Sequence, residues 1–185
     1  ANNTVTSAWG ARGGAVCAST ITILFIGVNQ FIGNKVIYEA SQERASSVPN
    51  IYVGACGGAL YIIQESELRF ELRDVQFSEC QSEHYGGAIA IAGLEDENLF
   101  SRLHIDIIGC KFSKCKSTYG GAIGSTIEGL IKCEACQFDS VSSESGGAIY
   151  CNDESTETPS TLEVKGCSFN NIKASDIGGA IYCHS

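Results

Sequence analysis

The tripeptide Gly-Gly-Ala occurs six times in this chain, beginning at Gly13, Gly57, Gly86, Gly120, Gly146 and Gly178, and an aliphatic residue follows every copy. Those residues are Val16, Leu60, Ile89, Ile123, Ile149 and Ile181. Successive copies start 44, 29, 34, 26 and 32 residues apart. A second element, centred on Phe77, Phe112, Phe138 and Phe169, precedes each of the last four copies by eight or nine residues. Aligned on these phenylalanines, Phe70, Ile105, Ile131 and Leu162 share one column and Leu72, Ile107, Cys133 and Val164 another. Val75, Cys110, Cys136 and Cys167 share a third, and Cys80, Cys115, Val141 and Ile172 a fourth. Phe31 with Asn34 reads as a fifth copy of the Phe element. A repeat of this length constrains the fold more than any other feature of the chain.

Within each unit the apolar residues alternate with polar ones, which is the periodicity of strands. One unit cannot bury its apolar face alone, whereas stacking the next unit on it builds a continuous core. The glycine pairs, Gly13-Gly14, Gly57-Gly58, Gly86-Gly87, Gly120-Gly121, Gly146-Gly147 and Gly178-Gly179, suit tight corners entering a strand. The expectation is an all-β chain, a single right-handed parallel β-helix of about five to six turns over residues 1–185. Stacked turns lie about 4.8 Å apart, so five steps make a column roughly 24 Å tall. Extra length falls near 35–53, 93–101 and 152–160, the last two polar and acidic. Neither end carries a capping element, which leads us to expect a segment of a longer solenoid or a subunit that stacks end to end.

Charge and composition exclude several functions. The formal net charge is −9, so a nucleic-acid partner is not expected. No apolar run approaches the roughly 18 residues of a membrane span. Ten cysteines in 185 residues favour an oxidising compartment. Cys133 and Cys136 form a C-x-x-C without a second pair at finger-like spacing, and His84, His104 and His184 are scattered, so neither a metal nor another cofactor is expected. The cysteine columns leave two readings open. The thiols act as small buried hydrophobes, or neighbours in a column, Cys80 with Cys115 and Cys151 with Cys183, form disulfides between consecutive turns. Cys17 and Cys56 fall outside the columns.

No catalytic residue is assigned. Acids cluster in the loops, at Glu95, Asp96, Glu97, Asp153, Glu154 and Glu157, rather than as a fixed pair on strands, and no Ser/His/Asp or Cys/His grouping shares a column. Calcium binding at these acids has no loop signature to support it. Tyr61, Tyr150 and Tyr182 form one rank and Tyr85 and Tyr119 another, which suits sugar or protein contact as well as stacking between turns. Asn2 opens an Asn-Asn-Thr sequon, a possible glycosylation site in a eukaryotic secretory route.

The pairing of G-G-A-[ILV] with F-x-x-N resembles the repeats of chlamydial polymorphic membrane proteins and of related bacterial and protist surface β-helices. The second motif is intact only as Phe31-Ile32-Gly33-Asn34; later copies carry Cys80, Cys115, Val141 and Ile172 where the family has Asn. The resemblance implies an exported passenger that adheres or scaffolds at a cell surface. The function expected is therefore a non-enzymatic extracellular or cell-surface module: adhesin, scaffold or filament subunit. Its partners would be other copies or flanking repeats, with a cell-surface protein or glycan as a further ligand. The alternative is a β-helix enzyme, a polysaccharide lyase or hydrolase.

Overall fold

The computed structural model describes residues 3–7, 13–19, 24–26, 29–38, 56–64, 69–93, 103–126, 129–152 and 161–184. Among them there is no helix, and every strand pairing is parallel. The strands sort into sheets by their place in the repeat. The strand entered through Gly-Gly-Ala forms a six-stranded sheet: β2 (Val16–Ser19), β6 (Leu60–Gln64), β10 (Ile89–Gly93), β13 (Ile123–Ser125), β17 (Ile149–Asn152) and β21 (Ile181–His184), in that order. A second sheet orders β3 (Leu24–Ile26), β7 (Arg69–Arg73), β11 (Leu103–Ile108), β14 (Gly129–Glu134) and β18 (Thr161–Lys165). A third contains the Phe element: β4 (Gln30–Ile32), β8 (Gln76–Ser78), β12 (Lys111–Ser113), β15 (Gln137–Asp139) and β19 (Ser168–Asn170).

The remaining strands are short. β1 (Thr4–Ser7), β5 (Lys35–Tyr38) and β9 (Gln81–Ser82) form one sheet, and β16 (Ser142–Ser143) with β20 (Lys173–Ala174) another. Single bridges from Gln81 to Lys116 and from Lys116 to Ser142 connect them into one face. Equivalent strands of consecutive repeats are neighbours throughout, so the repeats stack as layers.

The register reproduces the columns expected from the sequence. Leu60 faces Val16 and Ile89, Ile123 faces Ile89 and Ile149, and Ile149 faces Ile181. Ile105 sits between Phe70 and Ile131, and Ile107 between Leu72 and Cys133. The phenylalanines form an unbroken stack: Phe31–Phe77, Phe77–Phe112, Phe112–Phe138 and Phe138–Phe169 centroids lie 5.2, 5.0, 4.9 and 4.8 Å apart, with ring planes within 9° of parallel. These ladders are the core. Leu72, Ile89, Ile105, Ile107, Ile123, Phe138 and Ile149 have no exposed surface at all. The alternation that signals a strand thus sends every second side chain into one continuous apolar column.

The stretch expected as an insertion near 35–53 begins as ordered strand, since Lys35–Tyr38 is β5, paired to β1 and β9. Its remainder lies outside the described residues. Gly93 closes β10 and Asn152 closes β17; the acidic stretches that follow, with Glu95, Asp96, Glu97, Asp153, Glu154 and Glu157, also lie outside them, as does Asn2.

Candidate functional site

The glycine corners set the layer spacing. The first glycine of each copy has φ between 57° and 66°, in the left-handed region. At Gly86 a Cβ would collide with the carbonyl of Ile89, and at Gly87 with the carbonyl oxygen of Gly121 in the next layer and, at 2.7 Å, with the backbone of Lys116. The first glycine therefore serves the turn and the second serves the close approach of two layers. Ala follows where the side chain is buried, Ala59, Ala88, Ala122 and Ala148 being 0% exposed, and its carbonyl is shared: Ala122 O accepts from both Ala88 N and Ile89 N, each at 2.9 Å. The same forked bond recurs at Ala59, Ala88, Ala148 and Ala180.

Two further corners per layer were not legible as glycine positions. Asp74, Gly109, Ala135 and Gly166 occupy one, and Gly33, Glu79, Lys114, Ser140 and Asn171 the other, all with φ between 51° and 64°. Only glycines in both sets hint at them, because the other members are residues of no common type. A non-glycine residue in this region costs about 1–2 kcal/mol, which the stacked neighbours on either side sustain.

Five of the ten cysteines stand at the residue after one of these corners. Cys110, Cys136 and Cys167 donate to carbonyls of the layer below, Leu72 O at 3.6 Å, Ile107 O at 3.2 Å and Cys133 O at 3.4 Å. Cys80 and Cys115 do the same to Phe31 O at 3.4 Å and Phe77 O at 3.9 Å. The column that opens with Asn34 is polar at its base: Asn34 is buried, and its Oδ1 accepts from Asn3 N and Asn3 Nδ2 at 3.2 and 2.9 Å. Its side chain also reaches Cys80, whose thiol in turn contacts Cys115. The thiol is thus a small buried group that still answers a carbonyl, a role between the two sequence readings.

The expected neighbours do meet. Cys151 and Cys183 are register partners, and Cys80 and Cys115 immediately precede the bridged pair Gln81 and Lys116. No disulfide joins them or any other pair among the described residues. The hydrogen bond to Cys80 and burial hold Cys115 well above the ordinary thiol range, and burial, with the neighbouring Cys167 and Cys110, raises Cys133. Cys183 is drawn down to about 7 by its hydrogen bond with Cys151. Cys17 and Cys56, which fitted no sequence column, now have places. Cys17 faces Tyr61 in the register, and Cys56, at the position before Gly-Gly, packs with Tyr61 and Ala90.

The tyrosine ranks are one array rather than two. In the register Ala90 and Gly124 separate Tyr61 from Tyr150. Tyr85 and Tyr119, from the position before Gly-Gly, lean into the space these small residues leave. Tyr85 stacks on Tyr119 at 5.0 Å, Tyr119 meets Tyr150 at 5.0 Å, and Tyr150 stacks on Tyr182 at 5.2 Å. His84 sets its edge against Tyr85 and Tyr119, and burial lowers its pKa below the ordinary 6.5. Tyr61 and Tyr150 are buried, so packing takes most of their surface.

Several charged groups on the strands pair with one another. His104 Nε2 lies 3.3 Å from Asp106 Oδ1, Glu71 pairs with Arg73, and Glu134 pairs with Lys132 and Lys165. Among the described residues no three His, Cys, Asp or Glu side chains converge as metal ligands.

No curated protein and no solved structure matches the chain. One family does: residues 166–184, the segment holding Phe169 and the last Gly-Gly-Ala-Ile, match the Chlamydia polymorphic membrane protein repeat.

Proposed function

We propose that this chain is a non-enzymatic structural module of a surface protein, an extracellular adhesin, scaffold or filament subunit, built as one right-handed parallel β-helix whose partners stack on its ends. The matched repeat supports display at a cell surface, because the family it describes is one of membrane-associated surface proteins. The observation that carries the stacking is the state of the last described layer. Leu162, Cys167, Phe169, Ile172 and Ile181 are only partly buried, and Val164 is 38% exposed. Their equivalents one layer below, Ile131, Cys136, Phe138, Val141, Ile149 and Cys133, are 0–4% exposed. The layer presents core-type side chains and a strand edge of the kind that the next layer of the repeat covers lower in the stack, which supports this reading.

Sedimentation and negative-stain electron microscopy of the 185-residue chain test this reading. End-to-end assemblies are expected, and Val164→Lys, which puts a charge on the contact face, should disperse them. Particles that stay single at all concentrations would refute stacking between copies. Cleavage of a polyuronate panel by the purified chain would refute the non-enzymatic assignment.

A further inference from the structure

A groove of about 1240 Å³ runs along the short-strand face and continues onto the last described layer, where Phe169, Ile172, Gly179 and Ala180 line it. It crosses five consecutive layers, whose first groove residues are Lys35, Gln81, Lys116, Ser142 and Lys173, each aligned with the next. Its length is about 19 Å over four layer steps. Lysine stands at every second layer. At the intervening layers the residue two positions on is an acid, Glu83 and Glu144, both lining the same groove. Cation and anion therefore alternate layer by layer, and the cations repeat every ~9.6 Å.

Three lysines elsewhere on the described surface are ion-paired. Lys114 is ion-paired with Glu79, and Lys132 and Lys165 with Glu134. Lys35, Lys116 and Lys173 are exposed and enter no ion pair among the described residues. Buried serines line the wall between them beside apolar Val36, Ile172 and Ala174: the Ser82 and Ser117 hydroxyls donate to Gly86 O and Gly120 O, and that of Ser143 to Ser145 O. Thr118 is anchored to Glu83 O, at 2.6 Å.

We infer that this groove binds an extended acidic polysaccharide carrying one carboxylate per disaccharide. The carboxylates would pair with Lys35, Lys116 and Lys173, and the hydroxyls of the neutral sugars between them would donate to Glu83 and Glu144. An extended disaccharide unit covers two layers, which matches the lysine period. An extended peptide matches it poorly, since residues on one of its faces recur every ~6.7 Å. A polyproline-type helix has a turn of ~9.3 Å but docks on aromatic-lined grooves. Among the described residues the only ring lining the groove is Phe169, at one end.

The inference rests on the surface-module reading only in needing the layers stacked within one chain. The test is titration calorimetry with hyaluronate oligosaccharides, which carry one carboxylate per disaccharide. Carboxyl-reduced hyaluronate, a single-stranded oligonucleotide and a Glu-Pro-Pro repeat peptide serve as comparators. Hyaluronate should bind, weaken as salt rises, and weaken about fivefold in Lys116→Ala, the loss of one contact between unit charges in water. Lys114→Ala, outside the groove, should change nothing. Absence of hyaluronate binding, equal binding of the reduced polymer, stronger binding of the oligonucleotide or peptide, or an unaffected Lys116→Ala would each overturn the assignment. Chains that bind hyaluronate but never assemble end to end would keep this inference and lose the stacking one; chains that assemble and do not bind would do the reverse.

Discussion

Phe112 is the central ring of the phenylalanine stack, 1% exposed, with Phe77 at 5.0 Å on one side and Phe138 at 4.9 Å on the other. Replacing it by alanine removes a fully buried side chain, worth about 2–3 kcal/mol. It also removes two stacked contacts, each worth about 0.5–1.5 kcal/mol. The sum, about 3–6 kcal/mol, agrees with the ~3–5 kcal/mol found when buried aromatic residues are cut to alanine. Phe169 occupies the same column in the last described layer, is half-buried, and has Phe138 as its stacked neighbour at 4.8 Å. With one contact and part of the burial at stake, Phe169→Ala should cost about 1–3 kcal/mol. Urea denaturation followed by far-ultraviolet circular dichroism, at concentrations where the chain is monomeric, measures both. Equal losses at the two positions, or a Phe112→Ala loss below about 1 kcal/mol, would refute the claim that the layers share one aromatic column. Repeating the comparison at high concentration adds a second reading. If another copy covers the last layer, the cost of Phe169→Ala should climb toward that of Phe112→Ala.

Three further outcomes follow from the geometry. Ala135, at φ 55°, shares a corner with Gly109 and Gly166. Ala135→Gly relieves about 1–2 kcal/mol of left-handed strain against about 0.5–1 kcal/mol of added chain entropy, so a net gain of roughly 0.5–1 kcal/mol is expected in the same denaturation assay. Iodoacetamide labelling of Cys183, read by peptide mass spectrometry, should rise through pH 7 while Cys133 and Cys115 stay unlabelled, and Cys151→Ala should move the Cys183 transition upward. Because the folded chain favours the Cys183 thiolate, the stability linked to this group is complete above the unfolded thiol's pKa and is lost as pH falls through about 7. Folding with oxidised glutathione should yield Cys80–Cys115 and Cys151–Cys183 cross-links in unreduced digests, each closing a loop of about 30 residues and adding about 3–4 kcal/mol. Digests that show neither link would leave these columns as free thiols.

The ladders were legible before any coordinates because their signal is periodic. Gly87 and Gly121 recur where two backbones touch, and Phe77, Phe112 and Phe138 recur where rings stack, so the same requirement writes the same residue at every layer. The groove and the left-handed corners at Asp74, Glu79, Lys114 and Ala135 carry no such imprint. A corner tolerates any residue whose neighbours hold it, and a surface face is free to change residue from layer to layer.

The amino-acid order alone determined that strands of one repeat lie over those of the next, since only stacking buries an apolar face repeated every unit. Tertiary structure decided what depends on contacts between different columns. It merged Tyr85 and Tyr119 with Tyr150 and Tyr182 through the gaps left at Ala90 and Gly124. It placed Cys56 beside Tyr61 and Ala90. Such lateral relations follow from how the corners fold each layer, and spacing along the chain does not encode them.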